Sequence, residues 1–138
     1  MNFLIYTRNA LPLVDKLMEL AREAGPIRIQ TATDQAGFDR AYQECFSGET
    51  LILFVMEDDR DMEVLDTASR YFLDVKLAVY LVEGAGGLKR RAFGYYPRLV
   101  SGYCEPESRI MDGVAGILAE MTQAWKHQIG RASCRERV

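Results

Sequence analysis

Six consecutive apolar residues, Leu51-Ile52-Leu53-Phe54-Val55-Met56, run directly into Glu57-Asp58-Asp59. A strand with one wet face alternates apolar and polar side chains, so an unbroken apolar run implies burial on both faces. Strands of that kind belong to parallel sheets covered by helices on either side. Ligands and chemistry in such sheets gather beyond the carboxyl ends of the strands. The acidic cluster therefore marks where a site would lie.

The rest of the chain supplies the elements such a sheet needs. Phe3-Leu4-Ile5-Tyr6 reads as a first strand. Asn9 is expected to cap a helix reaching Ala24, with Pro12 in its first turn and Leu13, Leu17, Leu20, Ala21 and Ala24 on one face. Gly25-Pro26 ends it, and Ile27 to Ala32 forms a second strand. Asp34 suits the cap of a second helix with Phe38, Ala41 and Cys45 in line, closed by Ser47-Gly48. Asp58 or Asp59 caps a third helix with Met62, Leu65, Ala68 and Phe72 as its apolar stripe. Val75 to Val82 is a fourth strand, Leu88 to Phe93 a short helix after Gly84-Ala85-Gly86-Gly87, and Arg98 to Tyr103 a fifth strand. Pro106 opens the last helix, along which Ile110, Val114, Ile117, Met121 and Trp125 share a side. Strands alternating with helices at this spacing argue for right-handed βαβ units. The expected fold is an α/β, flavodoxin-like three-layer sandwich with a five-stranded parallel sheet in the order 2-1-3-4-5.

A chain of 138 residues fits one domain with a sizeable core. With 49% hydrophobic and 27% charged residues it has the make-up of a globular chain, which excludes wholesale disorder. No apolar run approaches the ~20 residues of a membrane span, and the N-terminus lacks the basic leader of a signal peptide. Cys45 and Cys104 stand apart without CxxC spacing, which fits a reducing cytoplasm and small core side chains. His127 is the single histidine, so histidine-base and most metal-centre schemes have no donor. Residues 129–138 read as an in-frame translation of a short-read sequencing adapter and are set apart as a non-native tail. The other reading is a natural basic tail touching nucleic acid or lipid. The domain is then 1–128, with room for a natural continuation, such as an output domain, after Gln128. The tail holds three arginines and one glutamate, so the remainder carries −5 against −3 for the whole chain. An acidic domain is a poor match for nucleic acid.

Glu57, Asp58 and Asp59, with Asp61 beside them, also suit a divalent-metal site. The plainer reading is a helix cap plus acids that favour the positive helix start, worth about 0.3–1 kcal/mol each. Gly84-Ala85-Gly86-Gly87-Leu88-Lys89 follows a strand as a phosphate cradle would. It lacks both the Gly-Lys-Ser/Thr ending of a P-loop and GxGxxG spacing. Thr7-Arg8-Asn9-Ala10-Leu11 is not the hydroxyl-rich loop that holds FMN phosphate, so no cofactor is expected.

The rhythm of the strands, the buried third strand, the weak fourth helix and the Tyr103-Cys104-Glu105-Pro106 step into the last helix resemble a response-regulator receiver domain over residues 2–126. Such a domain takes a phosphoryl group on an aspartate ending strand three. The resemblance implies an acid pair after strand one for Mg²⁺, a hydroxyl after strand four and a lysine after strand five. Matched by position, the acid pair falls on Thr7-Arg8, the nucleophile on Val55, the hydroxyl near Val82 or Glu83, and the lysine on Glu105. A register shift would bring Glu57 or Asp58 to the acceptor position without restoring the pair or the lysine. The chain therefore looks like a pseudo-receiver with the phosphorylation residues missing.

Lys89-Arg90-Arg91 with Phe93, Tyr95, Tyr96 and Arg98 would lie on the helix 4/strand 5 face, where receivers meet partners. Arginine and tyrosine are favoured at interfaces. The plain alternative is a solvated basic helix whose aromatics point inward. The expectation is a cytoplasmic, non-enzymatic bacterial signalling module. It would bind a protein partner or a second copy through Arg90, Arg91, Tyr95, Tyr96 and Arg98, with no nucleic acid and no membrane. The alternatives are a metal-dependent phosphoacceptor using acids 57–61 and a degenerate flavodoxin-like nucleotide or flavin binder.

Overall fold

The computed structural model describes residues 1–45, 48–72 and 74–136, with side chains up to residue 123 other than that of Tyr71. The strands are β1 (Asn2–Tyr6), β2 (Arg28–Ala32), β3 (Thr50–Met56), β4 (Val75–Leu81) and β5 (Leu99–Gly102). The helices between them are α1 (Pro12–Ala24), α2 (Gln35–Gln43), α3 (Asp59–Ala68), α4 (Lys89–Phe93) and α5 (Glu107–Glu136). All pairings are parallel, in the order β2-β1-β3-β4-β5, as the sequence predicts.

β3 is the central strand, and all of its residues are buried. Its side chains alternate between two cores. Leu51, Leu53 and Val55 pack with Leu13, Leu17 and Ala21 of α1 and with Ile110, Val114 and Leu118 of α5. Ile52, Phe54 and Met56 face Phe38 of α2, Met62 and Leu65 of α3, and Ala92 of α4. Each fully buried side chain of this size contributes about 1.5–3 kcal/mol relative to exposure. A one-residue slip of β3 would exchange the two sets, so the two cores fix its register.

Several boundaries differ from expectation for local reasons. Asn9 does not cap α1: the N-cap position is Leu11, without a side-chain bond, and Pro12 starts the helix. Pro12 lacks an N–H to be capped, and the Asn9 amide is spent elsewhere. Asp34 does cap α2, its Oδ1 accepting from Gly37 N at 2.7 Å. Asp58, and not Asp59, caps α3. α3 stops at Ala68 and tightens into a 3-10 turn, Ser69–Tyr71, so Phe72 packs on the core from beyond the helix. Cys45 is half-buried, and burial pushes its thiol up in pKa. Cys104 is exposed in the β5–α5 loop, so it is not a core side chain. Ser47 and the Trp125 side chain lie outside the described residues, while the α5 backbone is helical to Glu136. Among the described residues no helix is long and apolar enough to cross a membrane.

Candidate functional site

At the carboxyl ends of β1 and β3 the chain places one cation among three carboxylates. β1 and β3 pair in register, Tyr6 beside Phe54, so the segments that follow them emerge side by side. Arg8 leaves the end of β1, and Glu57, Asp58 and Asp61 come from the end of β3 and the first turn of α3. Arg8 Nη2 lies 2.7 Å from Asp58 Oδ2, 3.3 Å from Glu57 Oε2 and 3.4 Å from Asp61 Oδ2. Arg8 Nε sits 2.8 Å from Asp61 Oδ1, off the line of its N–H, so that contact is a charge pair and not a hydrogen bond.

Asp61 is the buried hub, with 0% of its surface exposed. A buried carboxylate survives only where charge and hydrogen bonds replace water. Its Oδ2 accepts from Glu57 N at 2.6 Å and Asp58 N at 3.3 Å. The second of these is half of a capping box, whose other half is the Asp58 side chain accepting from the Asp61 backbone N–H. Asp58 Oδ1 also accepts from Arg60 N at 2.9 Å. Oδ1 accepts the Tyr6 hydroxyl at 2.9 Å. The Tyr6 ring is fixed by Phe54, 5.2 Å away between centroids, and by the edge of Phe38 at 6.5 Å. Burial, then the bond to Asp61, pushes the Tyr6 phenol well above its ordinary pKa.

The rim is held as firmly. Asn9 Nδ2 donates to both oxygens of Glu57, at 2.9 and 2.8 Å, which is why it is not free to cap α1. The Thr7 hydroxyl donates to Asn9 O at 2.7 Å and shapes the turn that carries Arg8. Hydrogen bonding to Arg8 holds the Asp58 carboxyl below its usual range, and Asp58 in turn raises the already high pKa of Arg8. Asp59 takes no part; it is exposed and pairs with Arg91 at 3.5 Å. Sequence reading grouped Asp59 with Glu57 and Asp58, and treated Asp61 as a helix-start charge. The available signal was the Asp58-x-x-Asp61 capping pattern combined with Tyr6 and Arg8 at the end of the neighbouring strand.

The remaining positions singled out by the receiver resemblance hold other contacts. Val55 is buried against the α1 and α5 side chains, and Glu57 is the first side chain beyond the strand. Glu105 accepts from the Ser101 hydroxyl at 3.0 Å and pairs with Arg109 at 2.6 Å.

The helix 4/strand 5 face divides in two. Arg91 turns toward α3, 3.3 Å from Asp66 and 3.5 Å from Asp59, and the Tyr95 hydroxyl donates to Asp66. Arg98 reaches Glu120 of α5 at 2.6 Å. Arg90 is exposed, Phe93 half-exposed, and Tyr96 is 92% exposed at a left-handed φ of 53°. The structure thus brings Arg91 and Tyr95 together on α3 and leaves Arg90 and Tyr96 facing solvent.

No protein-family model and no curated protein matches the chain. Solved structures do. A signal receiver domain of a two-component histidine kinase from Clostridium thermocellum superposes with a TM-score of 0.67 at 13% identity, covering 85% of this chain and 96% of that one. A CheY-like response-regulator receiver domain protein from Methanospirillum hungatei gives 0.61 at 12% identity, covering 88% and 97%. A putative pilus assembly protein (cpaE) from Burkholderia thailandensis gives 0.57 at 13%, covering 89% and 98%. Identities this low speak to fold, and the fold is that of CheY-like receiver domains. Such a fold raises the question of a divalent ion at the end of the sheet. A Mg²⁺ ion needs near-octahedral oxygen ligands at about 2.0–2.1 Å. Here the carboxylates converge on a guanidinium nitrogen, so the residues present do not fit the ion.

Proposed function

We propose that this chain is a non-catalytic, receiver-like regulatory module acting through protein–protein contacts on the face formed by α4 and β5. One observation carries the reading: Arg8 Nη2 lies within 3.4 Å of all three carboxylates at the end of the sheet. Phosphoryl transfer needs a free carboxylate and fixed positive groups around the developing charge. Glu57, Asp58 and Asp61 are each engaged, and Glu105 puts a negative charge where the receiver pattern has a lysine. A fold without that chemistry works by contact. Arg90, Phe93 and Tyr96, which lie outward, combine charge and aromatic area in the way interfaces favour, while Arg91 and Tyr95 are held on Asp66 and Arg98 on Glu120. The partner is a cytoplasmic protein or a second copy of the chain.

Incubation with Mg²⁺ and a small phosphodonor, followed by intact-mass measurement, should leave the mass unchanged. A gain of one phosphoryl group on Glu57 or Asp58 would overturn the non-catalytic reading. The contact face is tested by comparing partner retention or self-association of the intact chain with that of Arg90→Glu and Tyr96→Ala. Unchanged association in both variants would remove the face from the proposal.

The likeness to a protein described as a putative pilus assembly protein favours a second reading, in which the module serves an assembly apparatus and not a phosphorelay. The two differ in the partner recovered, not in the surface used.

A further inference from the structure

We infer that the outward side of α4 takes an acidic segment of a different protein and is closed to two-fold pairing with a second copy of this chain. The inference rests on the contact-face reading of α4 and β5 and names the chemistry of the partner.

Residues 84–104 hold four cations, Lys89, Arg90, Arg91 and Arg98, and no acid, in a chain whose acids outnumber its lysines and arginines by 20 to 17. The fold neutralises two of the four from outside the segment. Asp59 and Asp66 of α3 reach Arg91, and Glu120 of α5 reaches Arg98. Lys89 and Arg90 are exposed, and among the described residues no carboxylate pairs with either. They stand four and three residues before Phe93, so the three side chains share one side of the short helix. The turn after α4 keeps Tyr96 close, its N–H donating to Phe93 O at 3.1 Å. Of the large hydrophobic side chains exposed among the described residues, Phe93, Tyr96 and Tyr103, two therefore stand beside the bare cations.

A partner that covers this aromatic area takes Lys89 and Arg90 out of water with it. A cation removed from water needs a carboxylate to face it. In a two-fold dimer the same patch meets its own copy. Lys89 and Arg90 of one copy would then approach those of the other, with no acid in residues 84–104 to separate them. Like charges so placed work against association. The occupant is thus a protein segment that carries its own carboxylates next to apolar side chains. A nucleic-acid strand also offers negative charge and stacking faces, but it is held by a longer track of cations than Lys89 and Arg90 provide, and Arg91 and Arg98 are already paired.

The test uses the intact chain, the double variant Lys89→Gln/Arg90→Gln, Tyr96→Ala and, as a control on α2 near the other edge of the sheet, Arg40→Gln. The probes are a soluble amphipathic peptide of glutamate and leucine, its glutamine–leucine counterpart, and oligo(dT). Fluorescence anisotropy reads binding, and sedimentation reads self-association. The intact chain should prefer the glutamate peptide by roughly tenfold at low salt, the scale of two exposed charge pairs, and the preference should shrink as salt is added. The double variant should abolish the preference, Tyr96→Ala should weaken binding of both peptides, and Arg40→Gln should change neither. No preference for the glutamate peptide would overturn the inference. So would tighter binding of oligo(dT) that the double variant loses, or self-association of the intact chain that Tyr96→Ala weakens. Binding that Tyr96→Ala weakens and the double variant leaves intact would keep the contact face and overturn its acidic partner. Binding that neither variant touches would remove the face itself, so the two failures are distinguishable.

Discussion

Tyr6 donates its hydroxyl hydrogen to Asp61 Oδ1 across 2.9 Å, on the oxygen that also lies 2.8 Å from Arg8 Nε. A neutral phenol on β1 thus reads the charge of a carboxylate on α3, and each depends on the other being in place. Asp61→Ala would leave the Tyr6 hydroxyl, the Arg8 guanidinium and the N–H groups of Glu57 and Asp58 without their acceptor. Breaking a buried pair of this kind costs about 3–5 kcal/mol. Asp61→Asn, which keeps the shape and one acceptor, should cost roughly 1–3 kcal/mol. Urea denaturation measures both, and a loss under 1 kcal/mol for the alanine variant would show that the hub is not structural.

The same bond gives the protein an alkaline limit. The folded Tyr6 phenol has a pKa above its unfolded value of about 10, chiefly from burial. Its contribution to stability is therefore complete below about pH 10 and is lost as pH rises through the folded value, at up to about 1.4 kcal/mol per pH unit. Tyr80, raised by burial and then by Glu107, acts in the same direction. The difference between the intact chain and Tyr6→Phe isolates Tyr6: the variant's stability should fall less steeply between pH 10 and pH 12. Parallel curves would separate the hydroxyl from the pH dependence.

Asp58 behaves with the opposite sign. Its folded pKa lies below the unfolded carboxylate value, first through the hydrogen bond to Arg8. Its contribution is present above the ordinary carboxylate range of about 4 and disappears as pH falls through the folded value. Because the group is open to solvent, the effect should fade with added salt. In carboxyl-carbon NMR titrations, Arg8→Gln should move the Asp58 midpoint up toward the ordinary value. An unmoved midpoint would mean that Arg8 does not govern it.

The architecture was legible because β3 carries its burial in its own letters: six residues, Leu51 to Met56, offer nothing a wet face could use. Asp34 was legible as a cap, and the α3 cap as Asp58 or Asp59, because capping is decided within three residues. Asn9 was misread for the opposite reason. Its partner, Glu57, is 48 residues away and becomes a neighbour only after β1 and β3 pair. Asp61 was hidden in the same way, since its hub role needs Tyr6 and Arg8 brought up from the adjacent strand. Arg8 could be seen to put a positive charge where a metal would sit, but not to touch three carboxylates at once. On the α4 face, composition singled out a segment, while the division between Arg91 and Tyr95 held on Asp66 and Tyr96 left outward depends on helix phase across a five-residue helix.

Tyr96 combines near-complete exposure with a left-handed backbone, φ 53°, that a bulky side chain adopts at a cost of about 1–3 kcal/mol. On the proposed contact face, its ring would serve association and not the fold. Tyr96→Gly should therefore raise stability by up to about 1 kcal/mol while weakening association through the α4 and β5 face. Melting and association measured on the same samples check both halves. A variant that loses stability would indicate that the ring is held by the fold after all.

The α5 glycines give a last test, this time of how α5 sits against the sheet. A Cβ built on Gly116 meets nothing within 4 Å, while one on Gly113 would come 2.5 Å from Leu99 Cδ2 on β5. Both lie inside a helix, where glycine is less favourable than alanine by about 0.5–1 kcal/mol. Gly116→Ala should gain that amount. Gly113→Ala receives the same backbone benefit but must push Leu99 aside, and Leu99 packs in the core shared by α1 and α5. Its net gain should be at least about 0.5 kcal/mol smaller. Equal gains in urea denaturation would mean that α5 stands further from β5 than the Gly113–Leu99 approach requires. The two substitutions lie three residues apart on one helix, so propensity cancels in the comparison and only the approach to the sheet is left.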